Sequence, residues 1–160
     1  FVGMHGSVYK GYGGSPQISA EYNVRVDPKA LQAVFAADWE VTITPLDTCG
    51  LVHLTGEKFR RVYECPDKSV QALMENYQIW REAGAKKQLP PPDRSSTLYD
   101  TVAVYLGVEE SLVEMETLSL VVTEDGFTRI DASGRPVRAA VRWKNMELYE
   151  DWLVQRLVGK

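Results

Sequence analysis

The sequence predicts an α/β fold, and three patterns carry that prediction. An Asp-Pro pair at 27–28 starts a helix that runs into an alternating, β-branched strand. A second helical period occupies 67–84, and a third begins near 145. Strand-like segments surround a polar turn at 132–134. With 160 residues the chain can bury a real core, and 1–160 reads as a single domain.

Taken in order, residues 1–4 (FVGM) read as the end of a strand. A start in mid-strand predicts that the chain is the later part of something longer. Residues 5–19 contain four glycines and read as a loop. The loop has no G-x-x-x-x-G-K-[ST] or G-x-G-x-x-G spacing, so it is not a phosphate cradle. Asp27 is a natural N-cap with Pro28 at the first helical position, and Leu31, Val34 and Phe35 give an apolar helix face. Residues 40–47 (EVTITPLD) alternate as a strand, 48–55 read as a loop or irregular turn, and 56–62 as a short helix. Pro66 and Asp67 open a helix in which Val70, Leu73, Met74, Tyr77 and Trp80 form an i, i+3, i+4, i+7 stripe that stops near Gly84. Residues 85–96 are a polar, proline-rich loop. Residues 97–107 (TLYDTVAVYLG) predict a buried helix over 99–106, with a strand as the competing reading. Residues 115–126 read as a strand and turn, and 127–143 as a hairpin turning at 132–134. The last helix places Met146, Tyr149, Leu153 and Leu157 on one face with Trp152 beside them. There is no internal repeat.

The hydrophobic fraction of 44% and charged fraction of 25% are those of a globular protein. A net charge of -4 leaves no electrostatic footprint for nucleic acid or an anionic membrane, and neither is an expected partner. No apolar run approaches the roughly 20 residues of a membrane span. Cys49 and Cys65 are too few for a disulfide scaffold and read as free thiols in a reducing, cytoplasmic compartment.

Several residues suggest chemistry. In an extended segment Glu21 and Asn23 point the same way, and a carboxylate beside an amide suits neighbouring sugar hydroxyls. An exposed strand edge explains the same pair. Asp100 lies in an apolar stretch, where a carboxylate must be paired, hydrogen-bonded or metal-bound if buried. It reads as a metal ligand, a catalytic acid or a solvent-facing helix cap. Asp47 ends a strand, where α/β sheets collect ligands, but a loop-starting role is favoured. Cys49 and His53 could pair as nucleophile and base, yet nothing orients them. His5 could line a pocket. Two Cys and two His at unrelated spacings do not make a zinc site. Tyr77, Trp80, Tyr149 and Trp152 read as core or subunit contact.

In order, FVGMHGSV, the glycine loop, AEYNVRVDPKALQAVF, EVTITPLDTCG, and LYDTVAVYLG followed by a strand resemble the C-terminal half of the inosine-uridine preferring nucleoside hydrolase family. The resemblance runs from residue 1 to about 123 and more loosely to the end. AEYNVRVDP is its most specific part and LYDTVAVYL the next. It implies an open, mostly parallel sheet with flanking helices, ending in a C-terminal hairpin and helix. It also implies hydrolysis of a ribonucleoside or related N-riboside to base and ribose, in purine or pyrimidine salvage. A bound Ca²⁺ would hold the ribose hydroxyls and the attacking water. By motif, Glu21 and Asn23 would bind the ribose, Met4 would line the sugar pocket and Asp100 would ligate Ca²⁺. The chemistry suits these residue types. Calcium takes oxygen ligands, and a carboxylate near the ribose offsets developing oxocarbenium charge.

The sequence departs from the family in three places. The family's aspartate cluster, D-x-D-x-x-x-D-D, supplies the general base and most calcium carboxylates, and this chain lacks it. One Asp cannot provide the six to eight oxygens Ca²⁺ expects, so the chain alone is expected to be inactive. The ion would be shared with an N-terminal half or a second chain. Tyr99 stands at the place of the family's usual His and is the candidate leaving-group acid. A phenol with pKa about 10 is a weaker donor, so base preference is left open. Ser15 or a neighbour stands where the family often has a sugar-binding Asn, in a longer loop. A missing strand neighbour predicts a partner chain or a homo-oligomer. Two alternatives stand beside the hydrolase. One is a non-catalytic relative used for binding or assembly; the other is a hydrolase of another N-glycoside, which Tyr99 would permit.

Overall fold

The computed structural model describes residues 1–159. In chain order it runs β1 (Val2–Met4), a 3-10 turn (Tyr12–Gly14), α1 (Tyr22–Val26), α2 (Pro28–Ala36), β2 (Thr42–Thr44), α3 (Leu46–Cys49), α4 (Gly56–Tyr63), α5 (Lys68–Ala85), α6 (Tyr99–Leu106), β3 (Val113–Val122), β4 (Thr128–Ile130), β5 (Arg135–Trp143) and α7 (Met146–Val158). These form two compact units. One comprises Phe1–Val52 and Thr97–Met146; the other comprises His53–Ser96 and the chain from Glu147 onward.

The first unit holds an open sheet in the order β1-β2-β5-β3-β4. β1, β2 and β5 pair parallel, while β5, β3 and β4 pair antiparallel. Helices pack on this sheet, giving the α/β architecture expected. Asp27 caps α2 by accepting the Ala30 N–H at 3.0 Å, with Pro28 at the first position as its fixed φ favours. Leu31 and Phe35 then reach Ile43, Val137, Ala139 and Val141 in one buried cluster that also takes in Val8, Val24 and Leu120. Each buried Leu, Phe, Ile or Val of the cluster contributes about 1.5–3 kcal/mol relative to exposure. Alternation along β2 turns Thr44 to the opposite face. There its hydroxyl bonds Thr48 of α3 at 2.9 Å, and Thr48 donates to the Ala140 carbonyl at 2.8 Å. α6 occupies the span predicted for it, packs on β1 and β2, and buries Val102, Tyr105 and Leu106.

The strand predicted over 40–47 is shorter, because Pro45 cannot donate to a ladder. The chain turns helical at once, and Thr48 and Cys49 donate to the Pro45 carbonyl. The hairpin also differs from expectation. β4 pairs with β3, from Val122 opposite Thr128, and not with β5. β5 lies along the other edge of β3, from Leu120 opposite Arg135. Residues 131–134 carry the chain across the end of β3. A Cβ on Gly134 would lie 2.4 Å from the Leu120 carbonyl oxygen, so only glycine allows this approach.

In the second unit, Asp67 caps α5 by accepting the Ser69 and Val70 amides at 2.8 and 3.3 Å. Of the α5 stripe only Val70 is buried, and Trp80 is 61% exposed, stacked on Tyr77 at 5.8 Å. The reading of Trp80 as core is therefore corrected. α7 does bury Tyr149, Leu153 and Val154. Lys58 of α4 pairs with Glu150 and Asp151 of α7, each at 3.0 Å.

Candidate functional site

The site is built where β1 ends. After Met4 the chain enters the glycine-rich loop, which Asp47 organises. One Asp47 oxygen accepts the Val8 amide at 2.9 Å; the other accepts those of Tyr9 and Lys10 at 2.7 and 3.1 Å. Asp47 is buried, and burial pushes its carboxyl above the usual carboxylate range although the amides pull the other way. It holds the loop over residues 8–10 from within α3, and does not start a loop as expected.

Glu21 follows the loop and caps α1. Its Oε1 accepts the Asn23 amide at 3.0 Å, while Oε2 accepts the Gly6 and Val24 amides at 3.2 and 3.3 Å. Glu21 is only 2% exposed. The extended-segment reading is corrected here: Glu21 has extended backbone, but Tyr22 already begins a helix. Asn23 reaches the same place from the helix. Its Nδ2 donates to the Met4 carbonyl at 3.1 Å and lies 3.4 Å from the Met4 sulfur. That leaves the Asn23 Oδ1 as an open acceptor.

Met4, Glu21, Asn23, Tyr99 and Asp100 all line one cavity of about 240 Å³. Tyr12 and Tyr22 complete the lining. Residues separated by some eighty positions of sequence thus meet beyond the carboxyl end of β1, where open α/β sheets bind ligands. Asp100 lies in the first turn of α6 and is exposed, so the burial cost inferred from its apolar neighbours does not arise. The helix is capped at Leu98, so Asp100 is not the cap. Its carboxylate is free to meet a ligand.

Other candidates lie elsewhere. Ser15 does not line the cavity, and Tyr12 is the loop's contribution. Sequence reasoning missed Tyr12, since an aromatic in a glycine loop has no periodicity to betray its direction. His5 packs its ring on Phe1 at 5.7 Å outside the lining, with Nδ1 buried and unpartnered. Burial lowers its pKa, outweighing Glu21 and Asp100, which pull it up. The Cys49 thiol donates to the Pro45 carbonyl at 3.2 Å and is driven far up by burial, so it is no nucleophile.

The donors do not make a calcium site by themselves. Glu21 accepts three backbone amides and keeps only one lone pair of Oε1 unused, which leaves Asp100 as the cavity's one exposed carboxylate. Among the described residues no three His, Cys, Asp or Glu side chains gather as a metal-binding group. Calcium expects six to eight oxygens, and these residues alone do not supply them.

Comparison with known proteins bears on the fold and the family. No curated protein matches the chain. A plant nucleoside hydrolase superposes with a TM-score of 0.72 at 18% identity, over 98% of this chain and 52% of that one. A purine-preferring ribonucleoside hydrolase from Gardnerella vaginalis gives 0.73 at 20% identity, over 99% and 51%. An inosine-uridine preferring nucleoside hydrolase from Bacillus anthracis gives 0.59 at 20%, over 97% and 49%. The chain spans about half the length of these structures. The model of one family, described as inosine-uridine preferring nucleoside hydrolase, matches residues 1–156, and the chain belongs to that family.

Proposed function

We propose that this chain supplies the sugar-binding part of a calcium-dependent N-ribosyl hydrolase, which converts a ribonucleoside or related N-riboside and water to free base and ribose. The supporting observation is the meeting of Met4, Glu21, Asn23, Tyr99 and Asp100 around one cavity. Asn23 Oδ1 and the remaining lone pair of Glu21 Oε1 would accept from ribose hydroxyls, with Met4 against the sugar's apolar face. The Glu21 carboxylate, held rigid by its amides, would oppose the positive charge that develops on the ribose ring. Tyr99 would face the leaving group as a weak proton donor.

Asp100 would be one ligand of a Ca²⁺ completed by carboxylates that this chain does not supply, from an N-terminal half or a second chain. On that reading the chain alone is inactive. β1 is an edge strand with Phe1 and Val2 half exposed, which suits an added strand from a partner or a second copy. The two free, buried cysteines fit a cytoplasmic setting.

The test is ribose release by the complete assembly, with and without calcium. Asp100→Ala should abolish calcium-dependent release, and activity within about tenfold of wild type would overturn its ligand role. That no metal-binding group gathers among the described residues favours a second reading, a non-catalytic relative that binds N-ribosides. An assembly that binds ribose but never releases it from any nucleoside would establish that reading instead.

A further inference from the structure

We infer that Tyr12 is a positioning residue for the leaving group: with Tyr99 it forms a two-ring corner that receives a planar heteroaromatic base. The inference rests on the ribosyl-hydrolase reading, and extends it to a residue that no motif carries.

The two rings meet edge to face, with centroids 6.4 Å apart and planes at 84°. Both border the cavity that holds Glu21 and Asn23. A pair at right angles makes an L-shaped wall, so a flat ring can stack on one face while its edge meets the other. Tyr12 is held at both ends. Its backbone amide lies 3.4 Å from the Ser19 hydroxyl, and its own hydroxyl oxygen accepts the Tyr22 amide at 2.8 Å. The segment just before it is pinned by Asp47 through three amides. The ring nevertheless remains 42% exposed. A fixed, half-open aromatic beside polar sugar-binding groups is a preorganised surface, and it serves a ligand with one hydroxylated end and one flat end. Because the Tyr12 oxygen already accepts the Tyr22 amide, its proton points away from α1 and can be donated to that ligand.

The experiment is titration calorimetry of the full chain with adenine and, separately, with D-ribose, using wild type, Tyr12→Leu and Tyr12→Phe, with circular dichroism confirming the fold. Losing a stacked ring weakens base binding by about fivefold to over a hundredfold. Tyr12→Leu should therefore weaken adenine binding at least about fivefold and leave ribose binding within about twofold. Tyr12→Phe keeps the ring but loses the Tyr22 anchor and should fall between. Adenine affinity unchanged by Tyr12→Leu, or adenine and ribose weakened equally, overturns the proposal, since the residue would then be irrelevant or a mere prop. Tyr12-dependent adenine binding without ribose binding upholds the corner and refutes the sugar reading. Ribose binding without adenine binding does the reverse, and binding of neither overturns both.

Discussion

Glu21→Gln separates what the Glu21 carboxylate does for the fold from what it would do for a ligand. The carboxylate serves three backbone amides at 3.0–3.3 Å, two on Oε2 and one on Oε1. A glutamine has one acceptor oxygen. Its best orientation puts that oxygen at the Oε2 position, keeping two neutral hydrogen bonds and turning an NH₂ towards the Asn23 amide. Bonds to a charged group contribute about 1.5–3 kcal/mol each against about 0.5–1.5 for neutral ones. Two weakened bonds and one lost bond, partly offset by easier burial of a neutral group, should cost about 1–3 kcal/mol. Glu21→Ala loses all three bonds and leaves a void, and should cost about 3–5 kcal/mol. Urea denaturation reads both as lowered midpoints with an unchanged m-value. Glutamine within about 0.5 kcal/mol of wild type would refute the view that the charge is what the three amides require. If stability falls as described but ribose still binds normally to Glu21→Gln, the residue caps α1 and does not bind sugar.

Three further outcomes follow from named contacts. Asp47→Ala strands three loop amides and should cost about 2–4 kcal/mol in the same urea assay; a loss below about 1 kcal/mol would mean that water replaces the carboxylate at little cost. Gly134→Ala drives a Cβ against the Leu120 carbonyl oxygen and should lower the melting temperature by at least about 4 °C, whereas an unchanged value would show that the crossing relaxes freely. His5 has its pKa lowered by burial below 6.5, so the unfolded chain takes up the proton first as pH falls. Its contribution to stability is full above pH 6.5 and is lost as pH drops towards the folded value. Melting temperatures between pH 7.5 and 5.5 should therefore fall more steeply for wild type than for His5→Gln, and parallel curves would rule this out.

The parts of the fold that local chemistry decides were legible in the sequence. Asp27 and Asp67 cap helices through their own neighbours' amides, and α6 spans the residues its apolar pattern implied. What depends on distant partners was not. Nothing in 127–143 tells β4 to pair back on β3 while β5 crosses to its other edge, because both choices satisfy the same alternation. Trp80 sits at core spacing on a face that stays exposed, because periodicity marks a stripe without saying what covers it. The candidate site divides the same way. Glu21, Asn23 and Asp100 were singled out by their residue chemistry as well as by motif resemblance, though Asn23 arrives by a helical turn and not by strand alternation. Tyr12 depends on how Asp47 folds a loop from 37 residues away, which no local pattern encodes.

The strand order also sets a schedule for synthesis. β5 is the last strand made, yet it joins the parallel and antiparallel parts of the sheet. Thr42 must wait for Arg138, its partner across β2 and β5. At about 5–20 residues per second that wait is roughly 5–20 s on the ribosome. During it β2 has β1 on one side but no neighbour on the other, and Ile43, buried in the finished sheet, lacks most of its cover. Slower translation of the stretch before β5 should therefore lengthen exposure to chaperones and aggregation, while the α2 cap, complete from its own residues, forms unaffected.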